Sequence, residues 1–571
     1  MTTLAIAAGL LVYVVVYFTY GRKLERDVVR ASADNPTPAA TRYDGVDYVP
    51  AQRPVLFGHH FASIAGAAPI VGPVVAMAWG WLPALLWVWF GNIFVGAVHD
   101  YLSLMASVRY DGKSIQFVAS DVVTRKSGTV FYWLVFFGLV LVIAAFGAVL
   151  GSQFVADPRI PSAYLFKIIA ALILGVLMYR LRAGFGLSTA VGIVMLTGAL
   201  ILGKMLPVSA SYEVWMLVMF VYIVVSAAIP VNVLLQPRDY LNSWLLYFGL
   251  AIGFVGAITS FHGFTAPAVT SFAPIISAGR ATPFWPAIVL IIACGSLSGF
   301  HSLVASGTTS KQLQHEHHGL TIGYGAMLTE GFLSTLAIVA VAGFGHQVVT
   351  RAGASLSIPE WGSQYTAAMG QVKWKAASMF SNAYGEMVGA SLLAFLPVAF
   401  VKMVAGMWVA SFAMTTLDTT NRLGRYCFAE VLLPLKDRAG GVYAFLVNRW
   451  VASMVPAAIG IALAWSGRFS VLWPSFGTAN QLIASMAMMT GAAWVAKRLG
   501  RRTNMTLIPA VLLWVTVTAA MIWFCIVVIP ATIAASPATG WTVLVIEVVM
   551  LVLNIIFVVD FFKSRSAERA A

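Results

Sequence analysis

Three histidines stand where a protein of this composition can seldom carry them. His59 and His60 open an apolar run beginning at Phe57, and His301 lies within another. Imidazole exchanges a proton near neutral pH and also ligates transition metals, so proton coupling and metal binding are the chemistries open to them. Neighbouring residues on a helix point about 100° apart, so at most one of His59 and His60 faces a given cavity. Asp100, Lys167, Glu330, Lys402 and Glu547 are further ionisable residues inside apolar runs. Such groups are costly in lipid and mark ion or substrate paths by default. Lys402 lies deepest, among Phe400, Val401, Met403 and Val404. It is expected to hold a substrate carboxylate or to pair with Asp100 or Glu330, whereas Lys167 is expected to snorkel to the interface. His315, His317 and His318 flank Glu316 in what reads as a solvated loop. No nucleophile–base set, phosphate loop or His-Glu-x-x-His motif accompanies these residues, so no enzyme is expected.

The elements that position them are read from composition. Of 571 residues 60% are hydrophobic and 10% charged, against about 25% charged in soluble domains. Continuous apolar runs of about 20 residues indicate helices spanning a bilayer, where a β-barrel would show short alternating segments. The fold expected is all-α, a polytopic bundle of about fifteen spans running from 3–20 and 57–78 to 541–561. The first run lacks a basic segment before it and a small-residue cleavage site after it, so it reads as a retained helix rather than a signal peptide. With the N-terminus outside, 25 of the 35 Lys and Arg fall in inner loops and seven in outer ones. That bias predicts N-out, C-in, in a bacterial inner membrane. It also makes the net charge of +14 topological rather than a sign of nucleic-acid binding. Cys294, Cys427 and Cys525 are too scattered for a disulfide framework or a zinc motif. Two long outer loops, 261–283 and 347–387, are expected to cap the vestibule, the second as a short helix lying at the interface through Trp361, Tyr365, Trp374 and Tyr384.

Two spans carry helix breakers. In Phe57–Pro73 the sequence Ala65-Gly66-Ala67-Ala68-Pro69 leads to Pro73, so a break is expected around Gly66–Pro73. Ala227–Tyr240, with Pro230 and Asn232, is the second candidate, running in the opposite sense. Unwound backbone at that depth is tolerated where it lines a cavity, and matched breaks in inverted halves point to a binding site; a kink serving packing alone is the alternative. The third segment, Cys294–Lys311, concentrates glycines and hydroxyls, among them Ser306, Thr308 and Thr309; it suits hard-cation contact or close helix packing. The expected division is residues 1–56, a first five-helix repeat 57–211, an inverted second repeat 212–415, and a scaffold 416–571 that braces the bundle or mediates oligomer contacts.

At these residues the chain resembles the carbon starvation protein (CstA) family of bacterial transporters. The resemblance rests on Phe57–Pro73, Gly96-Ala97-Val98-His99-Asp100, Pro237-Arg238-Asp239-Tyr240-Leu241, Ser298-Gly299-Phe300-His301 through Ser306-Gly307-Thr308-Thr309, and Leu472-Trp473-Pro474-Ser475-Phe476-Gly477-Thr478-Ala479-Asn480-Gln481. It implies LeuT-type inverted repeats and uptake of peptides or pyruvate, coupled to protons or sodium. Laid on the two halves, it implies a small-molecule site at Gly66, Ala67, Ala68, Pro69, Pro230, Asn232 and Lys402. For ion coupling it nominates Ser306, Thr308 and Thr309, facing carbonyls near Ala65 and Gly66, as a sodium site, while the residues themselves offer His59, His60, His301 and Asp100 for a proton. No cofactor is expected besides a coupling H+ or Na+, and the expected partners are the small-molecule solute and membrane lipid, with no nucleic acid. The competing readings are a membrane metal-binding protein or metalloenzyme using His59, His60 and His301, and a passive channel.

Overall fold

A chain with so few polar side chains must satisfy its backbone internally, and it does so almost wholly as helix. The computed structural model describes residues 1–371, 375–465, 469–501, 503–535 and 537–570; Trp374 lies outside them. Ten helices among these are long and apolar enough to cross a bilayer, or twelve if two bent pairs each form a span. The difference from fifteen has physical causes. Tyr212–Ala228 is apolar but only 17 residues long, and Phe284–Ile291 is separated from Gly299–Gly307 by an unwound stretch. The N-terminal helix, Thr2–Val29, packs into the bundle along Glu316–Arg351, where Gly9 lies against Thr335 and Gly21 against Tyr324.

The packing has a recurring pattern. Arg53–Ile64 lies on Leu235–Thr259, and Phe284–Ile291 lies on Phe469–Arg498. Trp81–Arg109 packs on Gly299–Gly307, as Glu316–Arg351 packs on Ala68–Ala76. Two long helices, Arg125–Ala156 and Val398–Val431, cross each other at the centre, and Tyr212–Ala228 lies on Arg449–Trp465. The hairpin of Arg159–Arg180 with Phe185–Met205 sits to one side.

Each end of the bundle is closed by chain that is not spanning helix. At one end, residues 261–283 and the helices Trp361–Met369 and Lys375–Gly389 cover the end of Ala68–Trp79. The aromatics of this cap are buried in protein rather than laid on an interface. Trp361 donates through Nε1 to the Met77 carbonyl at 2.8 Å, and Tyr365 through its hydroxyl to Val74 at 2.8 Å. Both carbonyls also accept from the backbone, Met77 from Gly80 N–H and Val74 from Met77 N–H, so the side chains pin the helix end to the cap. Gly80 is required at the turn: its φ is +99°, and any Cβ there would collide with the Ala268 carbonyl. At the other end, residues 31–52 run as a strap. Asn35 donates to Glu316 at 2.5 Å, Val231 N–H to the Val46 carbonyl at 3.0 Å, and Ala51 N–H to Gln312 at 3.0 Å. Asp47 takes both Arg422, at 2.7 Å, and Arg425, at 2.8 Å.

Candidate functional site

The first break falls at Ala65-Gly66-Ala67, between Arg53–Ile64 and Ala68–Trp79, with a bend of 47°. Its cause is local. Pro69 has no N–H to give the Ala65 carbonyl, and Ile70 N–H turns to Ala67 instead of Gly66. The carbonyls of Ala65 and Gly66 are thereby released from the helix. Beside them stand hydroxyls of Val398–Val431: Thr416 Oγ1 lies 2.9 Å from where a Gly66 Cβ would be, and Ser63 Oγ lies 3.5 Å from Thr419 Oγ1. The Ser306 hydroxyl donates to Ser302 and Thr308 to Val304, both within their own helix. Thr309 Oγ1 bonds His60 Nδ1 at 2.9 Å. Thr416, whose hydroxyl also donates to Phe412 in its own helix, and Thr419 thus stand beside the first break. Their signal in the sequence is the polar run Thr415-Thr416-Leu417-Asp418-Thr419-Thr420-Asn421-Arg422 inside an apolar span.

The second break lies at 292–298, not at 227–240. Tyr212–Ala228 simply ends, Ile229 is extended, and Leu235–Thr259 starts after a short connection. Pro230 and Asn232 belong to that connection, which is held by the strap and by Arg422, whose guanidinium donates to the Ile229 carbonyl at 2.5 Å. The 292–298 stretch contains no proline and is kept open by caps from elsewhere. Asn92 Nδ2 donates to the Gly295 carbonyl at 3.1 Å and Gln481 Nε2 to Leu297 at 3.2 Å. Asn480 Oδ1 accepts from Phe300 N–H at 3.0 Å and from the Ser298 hydroxyl at 3.1 Å. The two breaks adjoin: a Cβ on Gly295 would stand 3.6 Å from Pro69 Cα, and Ser334 bonds the Pro69 carbonyl at 2.7 Å.

Buried ionisable groups surround these breaks in two clusters. His59 Nδ1 meets Asp239 Oδ2 at 2.6 Å, while Arg238 bridges Asp239 and Asp418. Tyr222 donates to Asp418 at 2.7 Å, and Tyr164 and Tyr222 lie hydroxyl to hydroxyl at 2.9 Å. In the second cluster His301 Nδ1 lies 3.0 Å from Asp100 and its Nε2 3.5 Å from Glu330, with His99 Nδ1 on Asp100 at 2.7 Å. All of these but Tyr164 and Tyr222 have fully buried side chains. Adjacent His59 and His60 thus point to different partners, Asp239 and Thr309.

Lys402 pairs with neither Asp100 nor Glu330. It reaches Glu386 at 2.8 Å, and Arg351 takes the same carboxylate at 2.5 Å, so all three belong to the cap end. Lys402 also lines a cavity of about 760 Å³ with Arg159 and Lys204. Lys167 does not snorkel: it is buried, donates to the Ser411 hydroxyl at 2.7 Å and lies over the Tyr164 ring.

A helical bundle with paired interruptions and buried charges around them is a membrane transporter rather than an enzyme, and the relatives agree. Residues 1–521 match the family described as carbon starvation protein CstA. The chain is 31% identical to the peptide transporter CstA of Bacillus subtilis, covering 98% of this chain and 96% of that one. It is 30% identical to the pyruvate/proton symporter BtsT of Escherichia coli, over 90% of this chain and 80% of that one. Among solved structures, a manganese transporter from Eremococcus coleocola superposes with a TM-score of 0.48 at 10% identity, covering 91% of this chain and 99% of that one. The chain belongs to the carbon starvation protein family.

Proposed function

We propose that the protein is a secondary active importer of a small carboxylate-bearing nutrient, pyruvate or a short peptide, in a bacterial inner membrane with its N-terminus outside. The observation that carries this is the abutment of two interrupted helices, Arg53–Trp79 and Phe284–Gly307, at Pro69 and Gly295. A half-helix N-terminus presents free N–H groups and a partial positive charge, which suits a carboxylate. The substrate accordingly sits at Gly66, Ala67, Ala68 and Pro69, where Ala68–Trp79 begins. Pro230 and Asn232 lie in the connection before Leu235–Thr259, and Lys402 pairs with Glu386, apart from this site. The packing supports an inverted repeat whose first half is 53–79, 81–109, 125–156, 212–228 and 235–259. Its second half is 284–307, 316–351, 398–431, 449–465 and 469–498, with 159–205 inserted in the first. Helices that pack together in one half have counterparts that pack together in the other.

Two coupling ions have a place beside this site. One guanidinium, Arg238, faces the two carboxylates Asp239 and Asp418, so that cluster has a negative charge to spare, and His59 is the group in contact that can take the neutralising proton. Sodium would use the freed carbonyls of Ala65 and Gly66 with Thr416 and Thr419. The relative named as a proton symporter favours the first. Uptake of labelled pyruvate and a labelled dipeptide into proteoliposomes, with proton and sodium gradients imposed separately, decides both questions. Accumulation above the external concentration under one gradient is expected. Equilibration to equal concentrations under both gradients overturns the active-transport reading.

A further inference from the structure

We infer that Cys294, His301 and Glu330 form a binding site for a divalent transition-metal ion, zinc by ligand type, at the interruption of Phe284–Gly307. One ligand atom from each of the three lies within 4.8 Å of the other two, and all three residues are buried. They come from three settings. Cys294 lies on the unwound stretch, His301 in the first turn of Gly299–Gly307, and Glu330 on Glu316–Arg351. Unwinding at 292–298 is what lets a cysteine reach a histidine seven positions further along the chain.

A second observation points to a ligand. His301 Nε2 and both carboxylate oxygens of Glu330 have no hydrogen-bond partner, although both side chains are fully buried. A buried polar atom left unsatisfied keeps its desolvation cost with no bond to offset it. One cation between them satisfies the imidazole and the carboxylate together. The separations suit it: His301 Nε2 and Glu330 Oε2 are 3.5 Å apart, and two ligands about 2.1 Å from a tetrahedral ion stand about 3.4 Å from each other.

The surroundings have the form that metal-binding imidazoles need. His301 turns its other nitrogen, Nδ1, to Asp100 at 3.0 Å, and His99 Nδ1 holds that carboxylate at 2.7 Å. A carboxylate accepting from one ring nitrogen fixes the tautomer that leaves the other free to ligate. Thiolate, imidazole and carboxylate together select zinc-like ions over magnesium or calcium, which want oxygen alone. Three protein ligands leave the fourth tetrahedral position for water or solute. An ion held here ties the interruption to Glu316–Arg351. His59 and His60 give their Nδ1 atoms to Asp239 and Thr309 and stand outside the cluster of ligand atoms formed by Cys294, His301 and Glu330.

The test uses the full chain, purified in detergent, stripped by chelator and loaded with cobalt(II) as an optical stand-in for zinc. A His317→Ala/His318→Ala background removes the clustered loop histidines, whose rings lie 4.4 Å apart and could take up metal adventitiously. The expected result is one cobalt per chain with a thiolate-to-cobalt charge-transfer band, displaced by zinc. Cys294→Ser abolishes the band, Cys427→Ser and Cys525→Ser keep it, and Glu330→Gln keeps it while weakening binding about tenfold or more. Should Cys294→Ser fail to fold, X-ray absorption of the zinc-loaded parent replaces it, with one sulfur at about 2.3 Å expected. Absence of the band, a band that survives Cys294→Ser, or a zinc shell of nitrogen and oxygen alone overturns the site. None of these readings uses uptake, so their failure leaves the transport proposal standing.

Discussion

At the scale of residues, the unusual economy of this protein is that its buried charges come in interlocked groups. Removing one member of a buried pair leaves its partner uncompensated in low dielectric. His59 is the exception, because a neutral side chain of similar reach can replace its bond to Asp239 without removing the Arg238–Asp418 pair. That separates folding from coupling. His59→Gln is expected to keep the protein folded and able to exchange substrate across the membrane at equal proton concentration. Accumulation driven by a proton gradient should fall to the level seen without one. Counterflow and gradient-driven uptake measured on the same vesicles check this, and undiminished accumulation removes His59 from the coupling step. His301 shows why spacing alone misleads at this scale. Three histidines in apolar runs read as one potential cluster, yet the fold sends His59 to Asp239, His60 to Thr309 and His301 to Asp100. Carboxylate partners far along the chain are invisible to any local reading.

At the scale of elements, the two interruptions differ in what makes them. The first was legible because its cause is covalent: Pro69 and Pro73 follow Gly66, and proline withholds a donor wherever it stands. The second was misplaced because Pro230 and Pro237 announce a helix boundary, which they do form, but as a connection between two helices. The real break, at 292–298, is marked only by glycines and serines and is maintained by side chains from other helices. Asn480 is the test of that view, since its Oδ1 holds both Phe300 N–H and the Ser298 hydroxyl, while its Nδ2 has no partner. Asn480→Ala is expected to cost about 1–3 kcal/mol by orphaning the start of Gly299–Gly307. Asn480→Asp keeps the acceptor and adds negative charge at a helix N-terminus, so it should lose less. Thermal unfolding of the two variants in detergent decides; equal losses would mean that the cap bonds carry no weight. The cap aromatics were legible as ordered structure but not in direction, because a row of Trp and Tyr serves an interface or a buried helix end equally well.

At the scale of the whole molecule, the strap over residues 31–52 joins parts that the chain keeps far apart. Asp47 lies 375 residues from Arg422 and 378 from Arg425, so nothing in the sequence marked this loop as more than a connection. The strap anchors the crossing helix Val398–Val431, Leu235–Thr259 through Val231, and the end of Phe284–Gly307 through Gln312. Asp47 thereby ties the strap to Val398–Val431 by two guanidinium groups. Burial pushes the Asp47 carboxyl up, but Arg425 and Arg422 outweigh it and hold the group well below the ordinary carboxylate range. A carboxylate whose value is depressed by folding contributes stability above its unfolded value, about 3.9. It loses that contribution as pH falls through the folded value. Stability from this contact is therefore expected to be flat from pH 7 to 5 and to decline only below about pH 4. Asp47→Asn leaves two buried guanidinium groups without their anion, a loss of about 3 kcal/mol at neutral pH. Unfolding midpoints of parent and variant, measured from pH 7 to 3, should differ by a constant amount down to pH 5 and converge in acid. A difference that instead stayed constant down to pH 3 would show that Asp47 is paired no better in the folded protein than in the unfolded chain, and that the strap is not what holds this face closed.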